Sequence, residues 1–191
     1  MGAPGSDALA TIWTIGHSTR DWQAFVALLQ REAIQLLADV RAFPGSRRHP
    51  QFDRERMAAA LPAFGIEYRH CPGLGGRRRA AKDAEPTAWR NASFHAYATY
   101  MRSREFTDAL ETLTDFAGMR RTALMCSEAV PWRCHRNLIA DALLARGIEV
   151  LHIGDAGVTR HALTRFATID GDGVRYPPEP ADGAEQLDLP V

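Results

Sequence analysis

The chain has 191 residues, a formal net charge of zero, 46% apolar and 24% charged side chains. That length suits one domain with a single sizeable core, and the composition excludes a disordered chain, a collagen-like chain and a disulfide-stapled miniprotein. The zero conceals a segregation: residues 41–82 hold ten basic and three acidic side chains, whereas residues 170–191 hold six acidic side chains and only Arg175, so neutrality does not exclude a polyanionic partner.

Residues 1–10 read as a flexible leader, without the basic and apolar regions of a signal peptide. Thr11–Ile15 is β-rich and runs into Gly16-His17-Ser18. Trp22, Phe25, Val26, Leu28 and Leu29 recur at helical spacing, with Ser18 or Thr19 expected as the cap and Asp21 in the first turn. Residues 35–40 form a short buried strand, 42–52 a Pro- and Gly-containing loop, 53–64 a helix, and 66–70 an alternating strand. Residues 71–79 are a Gly- and Arg-rich loop. Helices over 92–103 and 104–117 precede a buried strand at 122–126. A helix over Arg136–Arg146 ends at Gly147, and residues 149–153 are the last clear strand. Beyond 170 the chain contains Pro and many acids and is expected to be irregular. Strands alternating with helices predict one three-layer α/β domain over 11–169, with a mainly parallel sheet of about five strands flanked by helices.

No stretch reaches the roughly 18–20 apolar residues that span a bilayer, so no membrane partner is expected. Three cysteines without an export signal predict a cytoplasmic protein with free thiols.

In a parallel sheet, ligands bind beyond the carboxyl ends of the strands, and the polar residues collect there. The sharpest segment is Cys126-Ser-Glu-Ala-Val-Pro-Trp-Arg-Cys-His-Arg136. It lies between a strand and a helix N-terminus, a place that favours a thiolate and an anion. His135 or Glu128 could assist a nucleophilic Cys126. A cysteine-phosphatase loop needs five residues between Cys and Arg, whereas six separate Cys126 from Arg133; a rhodanese-like loop fits no better. Cys126, Cys134 and His135 supply three metal ligands, and His17, Cys71 or Asp155 a fourth, but no paired CxxC is present. Asp39 and Arg41 share one face of the second strand. Arg47, Arg48 and His49 suit a phosphate. Gly75-Gly76 would let backbone approach a ligand, and Arg77-Arg78-Arg79 resemble an electrostatic footprint for a polyanion. Phe94, Tyr97 and Met101 stand at helical spacing and are expected in the core.

Taken in order, Thr14-Ile-Gly-His-Ser18, Asp39-Val-Arg41, Gly65-Ile-Glu-Tyr68 with Leu74-Gly-Gly76, Cys126-Ser-Glu128 and Cys134-His-Arg136 resemble the DUF488 family of bacterial and archaeal proteins over about residues 12–155. The resemblance implies an α/β fold and a shared polar site at His17, Ser18, Asp39, Arg41, Gly75, Gly76, Cys126, Glu128, Cys134, His135 and Arg136. It implies no reaction.

The functional expectation is an enzyme acting on a phosphate-bearing substrate, a nucleotide or nucleic acid. Cys126 or Glu128 is its reactive centre, Asp39 and His17 are acid–base partners, and Arg41, Arg133 and Arg136 form an anion clamp. Ser18, Arg47, Arg48, Gly75 and Gly76 complete the substrate surface. Two alternatives stand beside it: a non-catalytic nucleic-acid-binding module using the Arg-rich 41–82 segment, and a metal-binding protein using Cys126, Cys134 and His135. Cofactor and oligomeric state are left open.

Overall fold

In a computed structural model that describes residues 11–45, 48–80 and 84–178, the apolar runs form the sheet. Strands β1 (Thr11–Gly16), β2 (Leu36–Asp39), β3 (Glu67–His70), β4 (Thr122–Cys126) and β5 (Glu149–Gly154) are parallel, in the order β3-β2-β4-β1-β5. The antiparallel β6 (Gly157–Arg160) covers the β5 edge. β2 and β4 are buried along their whole length, as central strands covered on both faces must be.

Period-two alternation sends Ile12 and Trp13 to opposite faces. On one face, α1 (Trp22–Arg31) and α2 (Arg54–Ala60) pack Phe25, Leu29 and Met57 against Trp13, Ile15, Leu37 and Met125. On the other, α3 (Ala92–Tyr100), α4 (Arg104–Met119) and α5 (Arg136–Ala145) pack Tyr97, Leu113 and Leu138 against Ile12, Leu36 and Leu124. The result is a three-layer α/β fold. Among the described residues, no helix is long and apolar enough to cross a membrane.

Local chemistry moves several boundaries. Asp21, not Ser18 or Thr19, caps α1, its carboxylate accepting from the Ala24 amide at 2.8 Å. The helix expected over 53–64 is α-helical only to Ala60 and continues as a 3-10 turn over Leu61–Phe64, because Pro62 has no amide hydrogen to continue the ladder. The irregular structure expected beyond 170 gives way to a hairpin of β7 (Thr168–Asp170) and β8 (Gly173–Arg175), and Tyr176 is buried in the α3–α5 layer. Every residue of β7 is exposed, so no apolar alternation marks it. Residues 1–10 and 179–191, which hold the expected leader and most of the acidic tail, lie outside the described residues.

The strand order positions the site. The chain leaves β1 toward β2 and leaves β4 toward β5. Adjacent strands therefore send their connections in opposite directions, which opens a crevice at their carboxyl ends. Register aligns those ends, with Gly16 beside Cys126 and Asp39 beside Met125. The ladder continues past the strands: His17 N–H donates to Cys126 O at 3.0 Å, Ser18 to Ser127 O at 2.9 Å and Val40 to Met125 O at 2.9 Å.

Candidate functional site

A cleft of about 700 Å³ fills that crevice. Its lining includes the buried Cys126 and Cys134 and the half-buried His135, together with Phe43, Arg77, Phe94 and Arg133. Among the described residues its lining includes Arg41, Arg77 and Arg133 but a single carboxylate, Glu128.

Cys126 ends β4, and a turn over Pro131–Arg133 brings Cys134 and His135 back beside it at the start of α5. His135 Nε2 lies 3.0 Å from the Val40 carbonyl. A carbonyl only accepts, so Nε2 carries a proton, and Nδ1 faces the two thiols. Nδ1 is 3.6 Å from Cys134 Sγ and 4.0 Å from Cys126 Sγ, and the three atoms lie within 4.8 Å of one another. Gly76 backs the ring: a Cβ there would sit 2.9 Å from Nδ1.

The two thiols are pushed in opposite directions. Donation from Cys134 drives the Cys126 thiol far below its ordinary range against the cost of burial, and His135 and the Glu128 backbone add to the effect. Cys134 is pushed up, first by donating to Cys126 and then by burial. Cys71 is different: burial and then Asp39 push it up to about 11. It does not line the cleft.

Beneath the cleft lies a buried ion pair. Arg41 donates from Nε to Asp39 Oδ1 at 2.9 Å and from Nη2 to Oδ2 at 2.6 Å, and Tyr68 Oη donates to Oδ2 at 2.6 Å. His17 is neutral, burial holding it down at about 4. Its Nδ1–H donates to Ser18 O at 2.9 Å, Nε2 accepts from Arg41 Nη1 at 3.2 Å, and the ring stacks on Phe52 at 4.3 Å. Asp39 is fully buried and does not line the cleft. Of the expected acid–base pair, His17 lines the cleft and Asp39 does not; both ring nitrogens and both carboxylate oxygens are engaged in fixing Arg41 and the β1 end.

Arg136, expected in the anion clamp, does not line the cleft. It is 1% exposed, donates to Glu128 O at 2.6 Å, Ala129 O at 3.3 Å and Thr14 Oγ1 at 3.2 Å, and so ties the loop after β4 to β1. Glu128 and Ser18 line the cleft; Glu128 Oε1 accepts from the Ala129 amide at 3.0 Å. Gly75 packs on Ala42 outside the lining. Arg48 is exposed and away from the cleft lining, and Arg47 lies outside the described residues. Asp155 is not near the thiols but pairs with Arg20 at 2.9 Å. The ligand set is thus Cys126, Cys134 and His135 among the described residues, enough for an open three-ligand metal centre.

The arginine run divides. Arg78 donates to Gly75 O at 3.0 Å and Pro72 O at 3.0 Å and stacks on Tyr100 at 3.7 Å. That anchoring presents Arg77, at φ +60°, to the cleft, 5.8 Å over the Phe43 ring. Ser18, at φ +49°, is the other non-glycine cleft residue in the left-handed region, where strain gathers at functional sites. Phe43 and the separate role of Arg77 were not legible in sequence. The Gly-Gly pair before the arginines is the one signal pointing there.

A family model described as "Domain of unknown function DUF488" matches residues 21–143. The match holds Asp39, Arg41, Gly76, Cys126, Cys134 and His135 and stops short of His17 and Ser18. No curated protein and no solved structure matches the chain.

Proposed function

The chain belongs to the DUF488 family, and on that premise we propose that it is a thiol-dependent enzyme acting on a phosphate-bearing substrate, such as a nucleotide or the end of a nucleic acid. One observation carries the reading. The Cys126 thiol lines an arginine-containing cleft, with Cys134 and Nδ1 of His135 beside it. A thiolate is the nucleophilic form of cysteine, and His135 Nδ1 is placed to take or return a proton. Arg77 and Arg133 supply charge for an anion.

The phosphate is a handle and not the group attacked. The amides of Ala129, Arg133 and Cys134 are spent on Glu128 Oε1, Val130 O and Pro131 O, so the loop after β4 does not offer them as a phosphoryl cradle. The attacked atom is then an electrophilic centre elsewhere in the substrate.

Alkylation tests this. Iodoacetamide is expected to modify Cys126 first, and Cys126→Ser to remove that reaction. Anionic iodoacetate should gain on neutral iodoacetamide relative to a free thiol, and the gain should shrink several-fold in Arg77→Ala/Arg133→Ala. An unreactive Cys126 would overturn the nucleophile; an unaltered reagent ratio would overturn the anion site.

The same three donors favour a second reading, a centre for a thiophilic metal ion, since the His135 Nε2–H···O=C bond is the usual orientation of a histidine ligand. Zinc that binds at one equivalent and blocks alkylation of Cys126 would support it. The nucleic-acid-binding module has less to stand on: within 41–82, Arg41 is buried on Asp39 and Arg78 is spent on backbone carbonyls.

A further inference from the structure

We infer that Cys126 and Cys134 act together as a dithiol that reduces small anionic disulfides, with Cys134 as the resolving thiol. The inference rests on Cys126 being a nucleophile, and adds an electron-transfer activity and a role for Cys134 that alkylation chemistry does not require.

The geometry carries it. A single nucleophile needs one sulfur and one base, yet this site holds a second buried thiol beside the first. Both thiols address the same Nδ1. The two sulfurs lie within 4.8 Å of each other, a gap that closes to about 2.05 Å in a bonded pair. Cys71, the remaining cysteine, is absent from the cleft lining. Exchange needs two sulfurs and a base within reach of one another, and this cluster places all three together.

The steps balance. Cys126 thiolate attacks one sulfur of RS–SR, the S–S bond breaks, and one RS⁻ leaves to be protonated by solvent. Cys126 is then joined to RS in a mixed disulfide. His135 Nδ1 takes the Cys134 proton, and Cys134 sulfur attacks Cys126 Sγ. The second RS⁻ leaves and recovers the proton from His135. The substrate gains two electrons and becomes two thiols, while the dithiol becomes one disulfide. Arg77 and Arg133 in the cleft walls favour an R group that carries carboxylate or phosphate.

Glutathione disulfide is the anionic probe and 2-hydroxyethyl disulfide the uncharged one, with intact-mass and thiol-release readouts on the full chain. Wild type is expected to release two thiols per protein and end two hydrogens lighter, with Cys126 and Cys134 linked in the peptide map. Cys134→Ser should release one thiol and stop as a mixed disulfide on Cys126, and Cys126→Ser should release none. The anionic probe should react several-fold faster than the uncharged one, after each is normalised to a free thiol. A wild type that also stops at the mixed disulfide, or that links Cys71, overturns this inference. If iodoacetamide still modifies Cys126 in that case, the nucleophile reading survives; if neither reagent reacts, both fail.

Discussion

At the scale of single residues, the site is decided by what surrounds the sulfurs. The His135 ring is pinned at Nε2 by Val40 O and backed by Gly76. Gly76→Ala would set a methyl 2.9 Å from Nδ1 and 3.2 Å from Cε1, closer than carbon and nitrogen tolerate. The ring must rotate and lose Val40. The expected outcome is a loss of about 1–3 kcal/mol in urea unfolding, typical of overpacking, together with several-fold slower alkylation of Cys126. An unchanged alkylation rate in the folded variant would show that His135 does not act on the thiol. Asp39 makes the opposite prediction. Its carboxylate is buried with Arg41 and Tyr68 and does not line the cleft. Asp39→Asn leaves a buried guanidinium without its counter-charge, a change that costs about 3–5 kcal/mol. Stability should fall by that order, while alkylation of Cys126 in the folded fraction changes less than in Gly76→Ala. A large loss of reactivity with little loss of stability would return Asp39 to an acid–base role.

At the scale of elements, one contact joins the two halves of the crevice. A Cβ at Gly16, the last residue of β1, would fall 1.8 Å from the Glu128 carbonyl oxygen and 3.0 Å from Arg136 Nη2. Backbone on both sides leaves little to yield, so Gly16→Ala is expected to cost about 3 kcal/mol or more, at the upper end of overpacking. It should also displace the loop after β4, which the rate of Cys126 alkylation would report. A neutral substitution would mean that this loop is looser than the bonds from Arg136 make it.

The same contact explains what was legible beforehand. β2 and β4 are wholly buried, so each announced itself as an apolar run. The cysteines, Glu128 and His135 were legible because one short segment carries them across a single strand-to-helix turn. Asp39, His17 and Arg136 were equally visible as charged or titratable residues near strand ends. Their use was not, because only tertiary packing decides whether such a group faces the cleft or is consumed beneath it. β7 and β8 escaped notice for the reverse reason, since short and largely exposed strands bury too little to leave a pattern.

At the scale of the whole molecule, a directed chain of hydrogen bonds runs from the loop after β4 to the C-terminal hairpin. Arg136 donates to Thr14 Oγ1. Thr14 meets His152 Nδ1 at 2.7 Å, His152 Nε2 meets His161 Nδ1 at 3.0 Å, and His161 Nε2 meets Asp141 Oδ1 at 2.9 Å. Tyr176 Oη donates to the other Asp141 oxygen at 2.8 Å. Each ring nitrogen has one consistent role if Thr14, His152 and His161 all donate toward Asp141. Protonating His152 would break that direction, and burial, then His161 and Arg136, hold it down at about 4. His17 is held at about 4 as well. An unfolded histidine takes its proton near 6.5. Between about 6.5 and 4 the unfolded chain therefore binds protons that the folded chain refuses, and stability falls as pH falls through that window. The Cys126 thiolate has a slope of the same sign, so the measurement belongs in a Cys126→Ser background. There, His152→Gln should flatten the dependence of unfolding free energy on pH between 6.5 and 4 by up to about 1.4 kcal/mol per pH unit, the value for one proton. It should leave the slope above pH 7 unchanged. Equal slopes with and without His152 would mean that this histidine titrates alike in both states, and that the chain to Asp141 does not depend on its neutral form.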